Sequence, residues 1–214
     1  VHACQAKPYV TNEDETAKHW IFAHNYVIDK ATEQFGTVLP FSFDAISRGN
    51  NDTVKDWLSK NYRDLKEELE RVKDKAEYSV QIFCDQDKLT EETLNKNQEM
   101  EALREKTEKM PEKAAYLFHR KFELKMKDAI SADISKLAEE FGSKVKGHVE
   151  EVKVEKTSRI PEKYKDKRLI VSFSCLVSKD KVEELGKILE EINSRRGYIV
   201  RFTGPWAPFS FIKL

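Results

Sequence analysis

The chain has 214 residues, with 38 Lys and Arg balanced by 38 Asp and Glu. Its hydrophobic share is 39% and its charged share 36%, against about 45–50% and about 25% in average domains, which favours long solvated helices over one large core. Zero net charge excludes a general electrostatic pull on nucleic acid or anionic lipid, and the longest nearly apolar run, Leu169 to Val177, is far short of the ~20 residues a membrane span needs.

The first expected helix starts behind Asn12-Glu13-Asp14-Glu15, which has the pattern of a capping box. Ala17, Trp20, Ile21, His24, Ile28, Ala31 and Phe35 then share one face, and Gly36 ends it. Thr37 to Phe43 reads as a strand in which Pro40 argues for an edge or a bulge. After the loop Arg48-Gly49-Asn50-Asn51, a second helix carries Val54, Trp57, Leu58, Tyr62, Leu65, Leu69 and Val72. Glu77 to Asp85 is a strand with Tyr78, Val80, Ile82 and Cys84 on one side.

Half of the residues from Gln86 to Lys113 are charged and none is Gly. Leu89, Lys96, Leu103 and Met110 are spaced by sevens, as are Thr93, Met100 and Thr107, a thin heptad seam. A helix over 86–110 that leaves the body of the protein is expected. Its thin seam needs a neighbouring helix or a second chain to pack on; a solvated helix against the 112–141 helix is the favoured form, and disorder is the alternative to a helix. Pro111 opens the next helix, with Ala115, Phe118, Phe122, Met126, Ile130, Ile134, Leu137 and Phe141 on its stripe and an end near Gly142. Strands at His148–Thr157 and Arg168–Val177 follow, then a helix over Lys179–Arg196 and a last strand, Tyr198–Thr203.

From Glu77 the order is strand, helix, strand, strand, helix, strand, which predicts a ferredoxin-like α+β domain over residues 76–214 with a helical insertion at 86–110. Residues 1–75 are expected to form a smaller α+β domain. Val1-His2-Ala3 has neither an initiator Met nor a signal-peptide pattern, so the chain is expected to begin earlier, with an opening strand missing.

Chemical motifs are scarce. Gly142 to Val149 has the glycine spacing of a phosphate loop but offers His148 and Val149 where Lys and Ser/Thr are needed. His19 and His24 are five apart and no zinc-protease motif occurs; His24, on the apolar stripe, reads as a hydrogen-bonded core histidine. Cys4, Cys84 and Cys175 are far apart and read as small buried residues of a reducing cytoplasm. Arg196-Gly197-Tyr198 starts like an RNA-recognition motif, but Ile199 and Val200 follow where a Gly or Ala and then a base-stacking aromatic belong. No metal site, cofactor or enzymatic activity is expected.

The C-terminal run Val200-Arg201-Phe202-Thr203-Gly204-Pro205-Trp206-Ala207-Pro208-Phe209-Ser210-Phe211 resembles the end of the GvpF/GvpL family of gas-vesicle proteins, a strand followed by Gly-Pro-Trp-Pro-Pro-Tyr-Ser-Phe. Val38 to Phe43 resembles that family's Val-Leu-Pro strand, preceded by a helix carrying the equivalent of His24. Ala115-Tyr116-Leu117 with Arg120, Lys121 and Glu123 resembles a family helix, and Leu169 to Glu184 the strand and helix before the tail. The likeness departs at Ala207 and Phe209, which stand for Pro and Tyr, and at Ser42 and Asp44, which stand for Arg and Gly.

The resemblance implies a non-enzymatic accessory or minor structural protein of gas vesicles, in two domains, the second a modified ferredoxin fold. It implies a cytoplasmic location at the gas vesicle. The implied partners are the small hydrophobic shell protein GvpA and other accessory proteins. Trp206, Phe209 and Phe211, held extended by Pro205 and Pro208, are the candidate contact residues, since aromatics anchor interfaces. The competing reading folds those rings back as a lid on the C-terminal core. Outside the resemblance, a ferredoxin-like binding module for RNA or a small regulatory ligand is the alternative.

Overall fold

A computed structural model describes residues 9–43, 45–108, 111–156 and 160–213, the side chains of 99–100, 107–108 and 112–115 excepted. The expectations for Val1 to Ala3, Cys4, Asp44, Met110 and Thr157, and for the side chains of Met100, Thr107 and Ala115, lie outside the described residues. Two compact units divide the chain. The first takes Tyr78 and the residues before it, Leu176–Lys179 and Gly204 onward; the second takes Ser79–Cys175 and Asp180–Thr203.

In the first unit, helix α1 spans Asp14–Phe35. The expected Asn12 cap does not form. Glu13 is the capping residue, without a side-chain cap bond, and its carboxylate takes the Thr16 hydroxyl at 2.9 Å instead. Gly36 ends α1 at φ 83° as expected.

Thr37 to Phe43 forms no strand among the described residues. Its polar groups bond elsewhere: the Phe41 carbonyl lies 3.1 Å from His24 Nε2, and Thr37 Oγ1 accepts the Asp74 amide at 3.2 Å. An extended run is a strand only when another backbone supplies the ladder.

Asn50 forms a true capping box with Thr53 at the start of α2, Asn51–Lys60. The expected single helix is interrupted at Asn61 and continues as α3, Tyr62–Val72. Here Val72, Leu176 and Phe211 are fully buried together, with Leu39 and Ile212 packed against them.

Among the described residues the strands are β1 (Lys75–Asp85), β2 (Glu151–Val154), β3 (Lys167–Ser178) and β4 (Tyr198–Trp206), in the order β2-β3-β1-β4. The sheet is antiparallel. Asp85, ending β1, donates to the carbonyl of Gly197 at the head of β4, and Lys179, just after β3, donates to Asp74, just before β1. One-sided burial was expected for β1; instead Gln81 and Phe83 are buried as fully as Ile82 and Cys84. Tyr164 explains part of this, stacking on Phe83 at 4.8 Å.

In the second unit, β1 leads into α4 (Gln86–Lys96), α5 (Gln98–Glu108) and α6 (Glu112–Lys146). The segment expected as one helix is two helices broken at Asn97; rather than leaving the body, both pack along α6, the neighbouring helix the thin seam was expected to need. Leu89 and Thr93 are buried, and the Thr93 hydroxyl donates to Asp133 on α6 at 2.9 Å.

Helix α6 does not stop near Gly142. It runs on to Lys146, placing Val145 in the core. Helix α7 (Val182–Asn193) packs on α6 and buries Leu185, Leu189 and Ile192.

Candidate functional site: an aromatic surface around the C-terminal segment

Strand β4 extends three residues beyond its expected end, through Gly204-Pro205-Trp206. Gly204 is required there. Its φ is 138°, and an added Cβ would lie 2.6 Å from the Tyr78 ring and 2.8 Å from the Glu77 carbonyl. The chain then turns, with Phe209 donating to the Ala207 carbonyl and Phe211 to that of Pro208.

This turn sorts the five candidate residues. Pro208 and Phe211 are buried, whereas Pro205, Trp206 and Phe209 are exposed. Phe211 has no accessible surface, while Trp206 keeps 52% and Phe209 39%. The expectation that all three rings face a partner fails for Phe211, whose apolar ring is stabilised by burial with Val72 and Leu176. The lid reading fails too, for Trp206 and Phe209. The segment also belongs to the first unit rather than to the domain expected over residues 76–214.

Besides the bonds of its own turn, side chains hold the segment's backbone. Glu77 accepts both the Ser210 amide, at 2.8 Å, and the Ser210 hydroxyl. Arg71 donates to the Phe211 carbonyl, and Glu68 accepts the Lys213 amide at 3.3 Å. Glu68 also receives Arg71 at 2.7 Å. That hydrogen bond holds the Glu68 carboxyl below its ordinary value, against a smaller opposing effect of burial.

The exposed Phe209 ring continues into an aromatic layer. It lies 6.0 Å from the His24 imidazole, which meets Phe43 edge-on at 5.6 Å; Phe43 in turn stacks on Trp20 at 6.2 Å. Phe41, whose carbonyl faces His24, packs edge-on against Trp57 at 5.9 Å. Both keep close to half of their surface in water. Helix α1 buries no residue fully. His24 is thus hydrogen-bonded as expected, but half-buried in a surface layer rather than in a core.

Phe41 and Trp57 were expected only as strand and stripe residues. Contact between them depends on a fold-back that no local pattern encodes. Glu68, Arg71 and Glu77, the side chains that hold the segment, carried no sequence signal.

Tyr198 is buried edge-on against Phe141 at 5.7 Å with Lys88 4.7 Å over its ring, so it has no free face for a nucleic-acid base. Burial pushes the Tyr198 phenol and the Cys84 thiol up. The glycines of the phosphate-loop spacing lie within and at the end of α6, not in a cradle. Among the described residues no group of His, Cys, Asp and Glu is placed to hold a metal ion, and no helix is long and apolar enough to cross a membrane.

A protein-family model described as gas vesicle synthesis protein GvpL/GvpF matches residues 1–213. The chain is similar to gas vesicle protein L1 of Halobacterium salinarum, 26% identical over 99% of this chain and 76% of that protein. It is similar to gas vesicle protein L of Haloferax mediterranei at the same identity, over 99% of this chain and 66% of the relative. Among solved structures, the gas vesicle protein GvpF from Anabaena sp. PCC7120 has a TM-score of 0.75 at 16% identity, covering 99% of this chain and 82% of that one. GvpF from Microcystis aeruginosa has a TM-score of 0.65 at 16% identity, covering 99% and 83%.

Proposed function

The chain belongs to the gas vesicle synthesis protein GvpL/GvpF family, and from that membership we propose that it binds the hydrophobic shell protein GvpA during vesicle assembly through the aromatic surface of its first unit. A gas vesicle accessory role follows from the family. The partner, the surface and the timing are the proposal. Other accessory proteins of the vesicle are further partners, and the site of action is the gas vesicle in the cytoplasm.

The observation that carries it is the exposed array of Phe41, Trp57 and Phe209 around half-buried His24. A shell subunit must show apolar surface before it is incorporated, which makes it liable to aggregate. Rings such as these can cover that surface, and truncation of a well-packed interface aromatic costs about 2 kcal/mol or more. Trp206, the exposed last residue of β4, is a further candidate contact residue.

The two units are read as two domains. The strand order β2-β3-β1-β4 with helices in the two crossovers supports a ferredoxin-like class for the second. Co-expression with GvpA, followed by affinity capture and sizing, tests the proposal. A soluble complex supports it; a folded protein beside aggregated GvpA contradicts it.

A further inference from the structure

The last residues are attached as a bound peptide is attached. Ala207 to Lys213 contributes no strand or helix. Pro208 is buried, and Phe211 is buried with Val72 and Leu176, with Leu39 and Ile212 packed against that cluster. Around it Glu77 takes the Ser210 amide and hydroxyl, Arg71 gives to the Phe211 carbonyl, and Glu68 takes the Lys213 amide. Buried anchors with side-chain clamps on the peptide backbone are how a groove recognises an extended ligand.

We propose that residues Ala207–Lys213 form a detachable strap, seated in cis in a peptide-binding groove of Leu39, Val72 and Leu176 rimmed by Glu68, Arg71 and Glu77. The groove's ligand is this chain's own C-terminal segment. The strap opens as a unit while the sheet stays folded, since a short segment held by side-chain contacts at one edge, outside the strands and helices, can open as a sub-global unit. Phe209 rides on the strap, so its opening removes that ring from beside His24. That consequence rests on the docking reading above; the strap itself does not.

Residue-resolved amide exchange of the full chain tests the strap without any partner. In Glu77→Ala, the amides of Ser210, Phe211 and Lys213 are expected to exchange at least tenfold faster, with those of Ile82 and Phe173 unchanged. No acceleration, or equal acceleration in the sheet, would overturn the proposal, the latter because the segment would then open only by unfolding.

A second measurement supplies the ligand in trans. A labelled synthetic peptide with the sequence of Ala207–Lys213 is titrated into full-length Phe211→Ala and into the unsubstituted chain. Saturable binding at least tenfold tighter to Phe211→Ala is expected, because the native strap competes at an effective concentration of order millimolar. Equal or absent binding to folded Phe211→Ala would overturn the groove. If that variant does not fold, the exchange of Glu77→Ala decides alone.

Discussion

Phe209 lies 6.0 Å from His24, ring centre to ring centre, joining the C-terminal turn to the middle of α1. Two residues along, Phe211 is fully buried. One turn therefore presents one aromatic ring outward and plants another in the core.

These positions predict opposite phenotypes. Phe211→Ala is expected to lower stability by about 3–5 kcal/mol, the usual cost of deleting a buried Phe. Phe209→Ala and Trp206→Ala, which remove half-exposed rings, are expected to cost less than about 1 kcal/mol while weakening partner capture. Thermal and denaturant melts of the three variants check this; equal losses in all three would contradict it.

Glycine substitutions separate required from incidental glycines. Gly204→Ala meets both positive φ and a backbone carbonyl at 2.8 Å, so a loss of about 2 kcal/mol or more is expected. Gly186→Ala, inside α7 with open space at its Cβ, is expected to gain about 0.5–1 kcal/mol through helix propensity. Denaturant midpoints of the two variants report both signs.

Acid should loosen the clamps. The carboxyls of Glu68 and Glu140 lie below their ordinary value of 4.5, chiefly through hydrogen bonds from Arg71 and Arg195. A depressed folded pKa contributes stability that is present above the unfolded value and is lost as pH falls through the folded one. Stability is therefore expected to drop as pH goes from about 4.5 downward. Glu68→Gln should flatten its share of that slope, as read by melting across a pH series.

The paired helices α4 and α5 are testable at their contact with α6. Leu89 is 3% exposed, so Leu89→Ala is expected to destabilise by about 2–4 kcal/mol. Thr93→Val leaves Asp133 without its 2.9 Å hydroxyl donor, a loss of about 1–2 kcal/mol. If calorimetry showed neither change, the pair would not be packed as described.

Periodicity made the helices and the order of the sheet strands legible, because apolar faces repeat whatever the partner. It failed where partners decide. Thr37–Phe43 has strand composition but gives its Phe41 carbonyl to a histidine. The seam of 86–110 reads as continuous, yet the chain breaks at Asn97. Gly142 looked like a stop, but α6 passes through it with Phe173 3.5 Å from its would-be Cβ. At the candidate site, aromatic content was visible in the tail, whereas burial of Phe211 rather than Phe209 depends on residues more than a hundred positions away, such as Val72.

The most direct test of the docking surface is co-expression of GvpA with the unsubstituted chain and with a Trp57→Ala, Phe209→Ala double variant, each scored by affinity capture and by melting temperature. The unsubstituted chain is predicted to hold GvpA in a soluble complex, and the double variant to lose it while melting within a few degrees of the parent. Capture that survives the double substitution, or a folded parent that never captures GvpA, would contradict the account.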